Sequence, residues 1–183
     1  MYQFLNVHPE GKFVADCVKR AITTAAEMDY HEVQLELNRH KRITGAKTFN
    51  EDRNWKSYLM NVLNASWTPF PATKGMPRMN GERFCKSHPK GRYVLSMAGH
   101  LSCCVDGVIY DTWDCQSKTV YGAYQIDPEK LAWRYFRIIK ENNKTYIQLR
   151  ENYYAKDSFY EVKDAELPMY KKCLKTLGFK KKD

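Results

Sequence analysis

The chain has 183 residues, of which 43% are hydrophobic and 14% aromatic, and its formal net charge is +9. A chain of this size and composition can bury a core of its own, so we expect a single domain over residues 1–183. It has no run of about 18 uninterrupted apolar residues, and its first residues lack a basic region followed by an apolar one. These features argue against a membrane protein and a signal peptide, and they predict a cytoplasmic protein.

The six cysteines are unevenly spaced and include no Cys-x-x-Cys pair. This pattern favours reduced thiols in a cytosol over a disulfide framework or a structural zinc site, and we expect no metal and no cofactor. The positive net charge would suit an anionic partner such as nucleic acid. However, much of it lies at Lys171, Lys172, Lys175 and 180–182, which is typical of a solvated helix end, so nucleic acid is a less favoured partner.

The first half of the chain has helical patterns. Asp16 is a good candidate N-cap, and the residues after it recur at helical spacing, which predicts a helix over 17–28. Further helices are expected over about 30–42 and after Asp52, with a loop over 43–52 between them. Three prolines and two glycines then predict an irregular connection over 68–81, which could lie over a cleft.

The second half is dominated by β-branched and aromatic runs, with Asp106-Gly107 as a two-residue turn signal. Helices followed by an antiparallel sheet predict an α+β fold of two packed layers, with a C-terminal hairpin and helix added. A boundary near Pro128 is compatible with this pattern. The expected elements are a short helix over 82–87, strands over 92–97, 101–105, 108–113 and 119–126, a hairpin of 133–140 with 145–150, and a final helix over 167–177.

Cys17 stands at the first turn of the first predicted helix. The partial positive charge of a helix start favours the thiolate, which is the nucleophilic form of cysteine. The backbone N–H of Cys17 is also a first-turn amide, and such amides can face a developing oxyanion. The alternative is that Cys17 is a small buried residue of an amphipathic helix.

The predicted hairpin supplies partners for this thiol. If Asp106-Gly107 forms a two-residue turn, residues whose numbers sum to 213 are paired, so His100 faces Trp113. Side chains alternate along a strand, so Asp111 shares the face of His100 and Asp114 points the other way. The register therefore selects Asp111 as the group that orients the imidazole, and a turn longer by one residue would reverse the selection.

Three segments carry a resemblance to a known family. They are Asp-Cys-Val-Lys-Arg-Ala over 16–21, His-Pro-Lys-Gly-Arg-Tyr-Val-Leu over 88–95 before Gly-His, and Asp-Gly-Val-Ile-Tyr-Asp-Thr-Trp-Asp over 106–114. With their order of Cys, His and Asp, they resemble the papain-like cysteine peptidase superfamily, and more narrowly its small uncharacterised phage and bacterial members. The resemblance covers about residues 12–126, and residues 129–183 would be a C-terminal extension.

The resemblance implies a papain-like fold and a catalytic triad. In that superfamily the cysteine attacks, the histidine is its base and an Asn or Asp orients the ring, so these roles would fall on Cys17, His100 and Asp111. An oxyanion side chain, often an amide ahead of the cysteine, has no clear match, and Asn6 is the nearest candidate.

Three further residues are candidates for substrate binding. Arg20, three residues after Cys17, could bind an acidic group or stabilise the thiolate. Gly99 removes bulk beside His100 and would let another chain approach. Trp113, like Trp67, could line a groove, although core packing is the stronger expectation for both.

The sequence thus predicts a cysteine hydrolase that acts on an amide, peptide or isopeptide bond, as a phage or bacterial accessory protein in the cytoplasm, or the host cytoplasm if phage-encoded. Its substrate would be a peptide, a protein or a small amide. The alternative is a non-catalytic binding module of the same fold that engages a host protein or nucleic acid through its basic surface. An acyl transferase would share the nucleophile, and the sequence indicates neither the substrate nor an oligomeric state.

Overall fold

A computed structural model describes residues 1–127, 135–150, 156–176 and 179–181. The chain divides into two compact units, Met1–Pro128 and Glu129–Asp183, and the division lies between the core and the extension distinguished in the sequence. Both helices and two β-sheets are present, so the predicted α+β class is confirmed, whereas the papain-like fold and the single domain stay predictions. In the described part of the chain, no helix has the length and apolar character needed to cross a membrane.

The helices of the first unit begin close to where the sequence places them. Asp29 caps the second helix by accepting hydrogen bonds from two backbone amides, and Asn80 caps the fourth by accepting one from the Arg83 amide. The cap of the third helix is Glu51 and not Asp52, which is the first helical residue. The helices are α1 (Cys17–Ala26), α2 (Tyr30–Thr44), α3 (Asp52–Ser57), which continues as a π-helical segment (Tyr58–Val62), and α4 (Gly81–Ser87).

One six-stranded sheet forms the other layer of this unit. Its strands are β1 (Tyr2–Phe4), β2 (Ser66–Pro69), β3 (Arg92–Met97), β4 (His100–Val105), β5 (Val108–Asp111) and β6 (Val120–Ile126). Their order is β1-β5-β4-β3-β6-β2, in which β1 runs parallel to β5 and the other neighbours are antiparallel. Strand β2 begins just before the segment predicted to be irregular and extends into it.

The turn between β4 and β5 has the predicted length. Asp106 and Gly107 both have positive φ, 48° and 76°, as a type I′ turn requires. Across it Cys104 pairs with Ile109, so the partners sum to 213 and the predicted register is confirmed for the three pairs of this ladder. Strand β5 ends at Asp111, two residues earlier than expected.

Apolar packing against the sheet positions the start of α1. The helix buries Val18, Ile22 and Ala25 and packs against β3, β4 and β5. A second apolar cluster, which includes Phe84 of α4 and Ile109 of β5, lies against the sheet as well. Helix α1 is therefore fixed against the strand that carries His100 and the strand that carries Asp111.

The second unit has a sheet of its own with strand order β10-β7-β8-β9. Its elements are β7 (Tyr135–Glu141), β8 (Lys144–Arg150), β9 (Ser158–Val162), α5 (Leu167–Thr176) and β10 (Lys180–Lys181). The predicted hairpin and final helix are present, while residues 133 and 134 of the predicted first strand and residue 177 of the helix lie outside the described residues. The core of this unit includes Phe136, Ile147 and Leu174.

Candidate active site

The turn before α1 is built around a buried carboxylate. Asp16 is 1% exposed and stands at the N-cap position, but its side chain makes no capping hydrogen bond, so the expected cap is wrong. The Tyr30 hydroxyl instead donates to Asp16 Oδ2 at 2.6 Å, and Arg20 Nη1 lies 2.5 Å from Oδ1. The carboxylate thus accepts one hydrogen bond and forms one ion pair, and it thereby ties the turn that carries Cys17 to α1 and α2.

His100 and Asp111 meet as the register predicts. His100 Nε2 lies 2.7 Å from Asp111 Oδ2, and the two side chains are 9% and 4% exposed. The backbone N–H of Thr112 donates to the other carboxylate oxygen at 2.7 Å. Asp114 is exposed and accepts a hydrogen bond from the Gln116 amide. The imidazole is thus oriented by one buried carboxylate, and its Nδ1 is the ring nitrogen left for a further partner.

Cys17 is a free, half-buried thiol that interacts with this histidine. Burial raises the pKa of the Cys17 thiol, but hydrogen bonding with the His100 side chain and with the Leu101 backbone lowers it. The positive charges of His100 and Arg20 lower it further, and the net result is a pKa below the ordinary value. The structure therefore favours the thiolate at Cys17.

The proton lies on the histidine in this arrangement. Burial lowers the pKa of His100, but hydrogen bonds with Asp111, Cys115 and Cys17 outweigh burial and raise the pKa to about 11. Burial also raises the pKa of Asp111, whereas the His100 and Ser102 hydrogen bonds hold it below its usual value. The three pKa shifts thus all favour the charged forms, a thiolate, an imidazolium and a carboxylate.

The thiol and the imidazole both line an open cleft of about 540 Å³. Its walls come from the α1 start, the loop over 45–51 between α2 and α3, α3 itself, β2 and the strands β3, β4 and β6. The residues that line it are Ala15, Cys17, Val18, Asn50, Asp52, Trp55, Lys56, Trp67, Ser96, Met97, Gly99, His100, Leu101 and Tyr121. A ligand of several non-hydrogen atoms could thus reach the sulfur.

Two of the predicted substrate contacts, Arg20 and Trp113, are not among the lining residues of the cleft. Arg20 instead pairs with Asp16, so of its two predicted roles the structure supports the electrostatic one toward the thiolate. Trp113 is 42% exposed and packs its ring against His100, with centroids 5.2 Å apart.

Gly99 lies in the cleft wall, but space is not the reason for a glycine there. Its φ is +64°, and a Cβ atom at this position would meet nothing within 4 Å. The left-handed backbone of the β3–β4 turn therefore explains a glycine here, and the approach of another chain stays a prediction.

Asn6 is engaged elsewhere. Its Nδ2 donates to the carbonyls of Gly11 and Lys12 at 3.0 and 3.2 Å, and its Oδ1 accepts from the His8 amide. Both amide hydrogens are committed to the N-terminal turn, and Asn6 is not among the lining residues of the cleft. The structure thus argues against Asn6 as the oxyanion side chain.

Asn50 is the amide that the sequence did not single out. It lines the cleft, and its Nδ2 donates to the Ala15 carbonyl at 3.3 Å, two residues before Cys17. One such bond uses one of its two amide hydrogens. Asn50 belongs to a loop without periodicity, so only the contact with residue 15 identifies it.

Cys115 is a second unexpected residue at the site. This buried thiol lies 3.4 Å from Ser102 Oγ and 3.8 Å from Asp111 Oδ2. Together with His100 and Asp111 it offers three donor atoms within 4.8 Å of one another, which is a group that could hold a metal ion. A cation would have to displace the proton of His100, whose pKa is about 11.

Comparison with known proteins supplies no chemistry that could be transferred to this site. No protein-family model, no curated protein and no solved structure matches this chain. A function for the chain is therefore to be inferred from its own residues and their geometry.

Proposed function

We propose that this protein is a cysteine hydrolase that cleaves an amide, peptide or isopeptide bond through Cys17, His100 and Asp111. The observation that carries the proposal is the Cys17 thiol, with its lowered pKa, beside a histidine that a buried carboxylate holds at 2.7 Å, with the thiol and the imidazole at the wall of an open cleft. A depressed thiol pKa, an adjacent histidine and a third group that orients the ring are the features of an activated cysteine nucleophile.

The charges assign a step to each residue. The Cys17 thiolate attacks the carbonyl carbon, the C=O π electrons move to oxygen, and no proton has to leave the sulfur first. His100 then gives its proton to the leaving nitrogen as the C–N bond breaks, which yields an acyl-enzyme and a free amine. In the second half His100 takes a proton from water as that water attacks the thioester, and Cys17 leaves as the thiolate.

The oxyanion would be stabilised at the start of α1. The Cys17 backbone amide is in the first turn, where amides lack intrahelical acceptors. Asn50, held to Ala15 beside that turn, supplies a second donor from its remaining amide hydrogen. Asp111 contributes by keeping Nε2 of His100 engaged, so that Nδ1 faces the thiol.

The narrower assignments belong to the same proposal. A papain-like fold, a phage or bacterial accessory role and a cytoplasmic location all rest on the three sequence segments that resemble that superfamily. A peptidase, an enzyme that removes a protein modifier and a small-molecule amidase share the steps above. A transferase differs only in passing the acyl group to an amine in place of water.

Alkylation with iodoacetamide tests the proposal directly. At pH 6 we expect Cys17 to be modified at least about tenfold faster than Cys173, because hydrogen bonding with His100 lowers the pKa of the Cys17 thiol and so raises its thiolate fraction. Cys173 is the internal reference, since it is exposed and lies in the second unit. Peptide mass spectrometry at timed intervals measures both rates in one sample.

Two outcomes would contradict the hydrolase. One is a Cys17 rate no higher than that of Cys173. The other is faster modification of Cys85 or Cys103, which are 3% and 0% exposed. Cys85 is the stricter comparison, because its hydrogen bond with Cys104 lowers its pKa to about 7 while its burial limits access.

The distribution of charge favours a binding module as the second candidate. Residues 129–183 contain 14 Lys and Arg against 8 Asp and Glu, so they carry six of the nine net positive charges. We expect a Lys171→Gln, Lys172→Gln, Lys175→Gln variant to lose a partner that is held electrostatically, in a salt-dependent way, while Cys17→Ala retains it. Pull-down and RNA or DNA titration at two salt concentrations measure this. If Cys17→Ala abolishes the biological effect of the protein, the binding module is contradicted.

A further inference from the structure

An exposed indole forms one wall of the cleft. Trp67 lies on the edge strand β2 and is 39% exposed, although it is one of the largest apolar side chains of the protein. Its ring packs against Tyr124 of the neighbouring strand β6, with centroids 4.4 Å apart and an interplanar angle of 38°. Tyr124 in turn contacts Trp55 edge-on at 5.9 Å. The indole thus packs against Tyr124 on one side, while part of it stays exposed to the cleft that holds Cys17.

A glycine makes this position possible. A Cβ atom at Gly122 would lie 2.1 Å from Cη2 of Trp67, far inside van der Waals contact. The backbone of Gly122 is not left-handed, so the residue is explained by the close approach of the indole and not by its φ. Tyr121, next along β6, is 47% exposed and also lines the cleft.

The charged groups that line the cleft occur as opposite pairs. Lys56 Nζ lies 2.6 Å from Asp52 Oδ2, and the Cys17 thiolate faces the His100 imidazolium. No lining residue therefore contributes an unbalanced charge that would select an acidic or basic group. Aromatic and apolar surface is what remains for recognition near the nucleophile.

We propose that Trp67 and Tyr121 form a subsite for an aromatic side chain of a peptide substrate, close to the bond that Cys17 attacks. This inference rests on the proposed hydrolase and names its substrate class. An aromatic ring on the supported indole would gain offset or edge-to-face contact and would be withdrawn from water. The same surface offers little to a glycine or to a charged side chain.

Two alkylating reagents test the subsite without a known substrate. N-acetylphenylalanine chloromethyl ketone and N-acetylglycine chloromethyl ketone carry the same reactive group and differ in one side chain. We expect Cys17 of the unaltered protein to react at least about tenfold faster with the phenylalanine reagent, in the range that one apolar contact gives. In Trp67→Ala the ratio of the two rates is expected to fall to about one or two.

The control measurements separate folding, reactivity and recognition. Iodoacetamide, which has no side chain to bind, is expected to label Cys17 of Trp67→Ala within about twofold of the unaltered rate. Gly122→Ala keeps the indole but displaces it, so it is expected to lower the ratio as well. Leu35→Ala, which truncates a side chain that is 58% exposed on α2, is the matched control and is expected to leave the ratio unchanged.

The possible results of these experiments distinguish a failure of the subsite from a failure of the hydrolase. A ratio near one in the unaltered protein, or a ratio that Trp67→Ala and Gly122→Ala both leave unchanged, overturns the subsite even if iodoacetamide labels Cys17 rapidly. Slow labelling by iodoacetamide overturns the hydrolase itself. If Trp67→Ala loses its native circular dichroism spectrum, Gly122→Ala and Trp67→Phe decide the question, and Trp67→Phe is expected to keep at least half of the selectivity.

Discussion

His100→Gln is expected to lower the alkylation rate of Cys17 by iodoacetamide at pH 6 by about 100-fold. The imidazolium lowers the Cys17 pKa both by hydrogen bonding and by its charge, while burial acts in the opposite direction. Without His100, only the Leu101 backbone and the Arg20 charge oppose burial, so the pKa of the Cys17 thiol rises. At a pH well below the pKa, each unit by which the pKa rises lowers the thiolate fraction about tenfold. A more basic thiolate is also more nucleophilic, which offsets part of this loss, and the expected 100-fold decrease is what remains.

The full pH profile of the rate distinguishes this effect from unfolding. In the unaltered protein we expect the rate to rise less steeply between pH 6 and pH 8 than in His100→Gln, in which it should rise about tenfold per pH unit toward that of an alkaline thiolate. His31→Gln is the matched control, because His31 is an exposed histidine of α2. A flat profile in His100→Gln would mean that the start of α1 alone activates Cys17.

Asp111→Asn is expected to lower the free energy of unfolding by about 3–5 kcal/mol, the cost of removing one partner of a buried ion pair. Asp111 is 6% exposed, and its carboxylate accepts from His100 and from the Thr112 backbone. The amide cannot balance the imidazolium, so burial becomes the stronger influence and the pKa of His100 falls. A neutral His100 no longer needs a buried counter-charge, so part of the lost stability is recovered. At pH 7 the decrease in the free energy of unfolding should therefore lie toward the lower end of this range.

Urea denaturation at several pH values measures the loss, with Asp114→Asn as the matched control. Asp114 is an exposed carboxylate three residues away, and its substitution is expected to cost less than about 0.5 kcal/mol. His100 has a folded pKa of about 11, above its ordinary value of 6.5, so its contribution is complete below about pH 6.5 and is lost as the pH rises toward 11. The difference between the unaltered protein and Asp111→Asn should therefore shrink above pH 7. A difference that is constant from pH 6 to 10 would contradict the ion pair.

The pairing of His100 with Asp111 could be predicted because the signal is short-ranged. The dipeptide Asp106-Gly107 specifies a two-residue turn, and a turn of known length fixes which side chains share a face on both strands. The same reasoning excluded Asp114 as the carboxylate that orients His100, and Asp114 is exposed. Helix starts were predictable for a similar reason, since caps and periodicity are local properties of the sequence.

The features that the sequence did not predict depend on distant partners. A carboxylate ahead of a helix resembles a cap, but Asp16 binds a tyrosine 14 residues away, and only tertiary packing decides between the two uses. Asn50 and Cys115 reach the site through contacts with Ala15 and Ser102, to which no spacing rule points. The strands β1 and β2 are three and four residues long, too short for a period of two to be recognised.

The parallel pairing of β1 with β5 affects when, during folding, the Cys17 thiol becomes reactive. Residues 2–4 pair with residues 109–111, and the Leu5 amide donates to the Asp111 carbonyl, so this ladder joins segments more than 100 residues apart. Contacts of such long range form late, because a large loop must close before they are gained. On the ribosome Cys17 emerges well before His100 and Asp111, and it is then an ordinary thiol. Its reactivity would therefore report on completed folding, and timed alkylation during refolding would register the closure of the sheet.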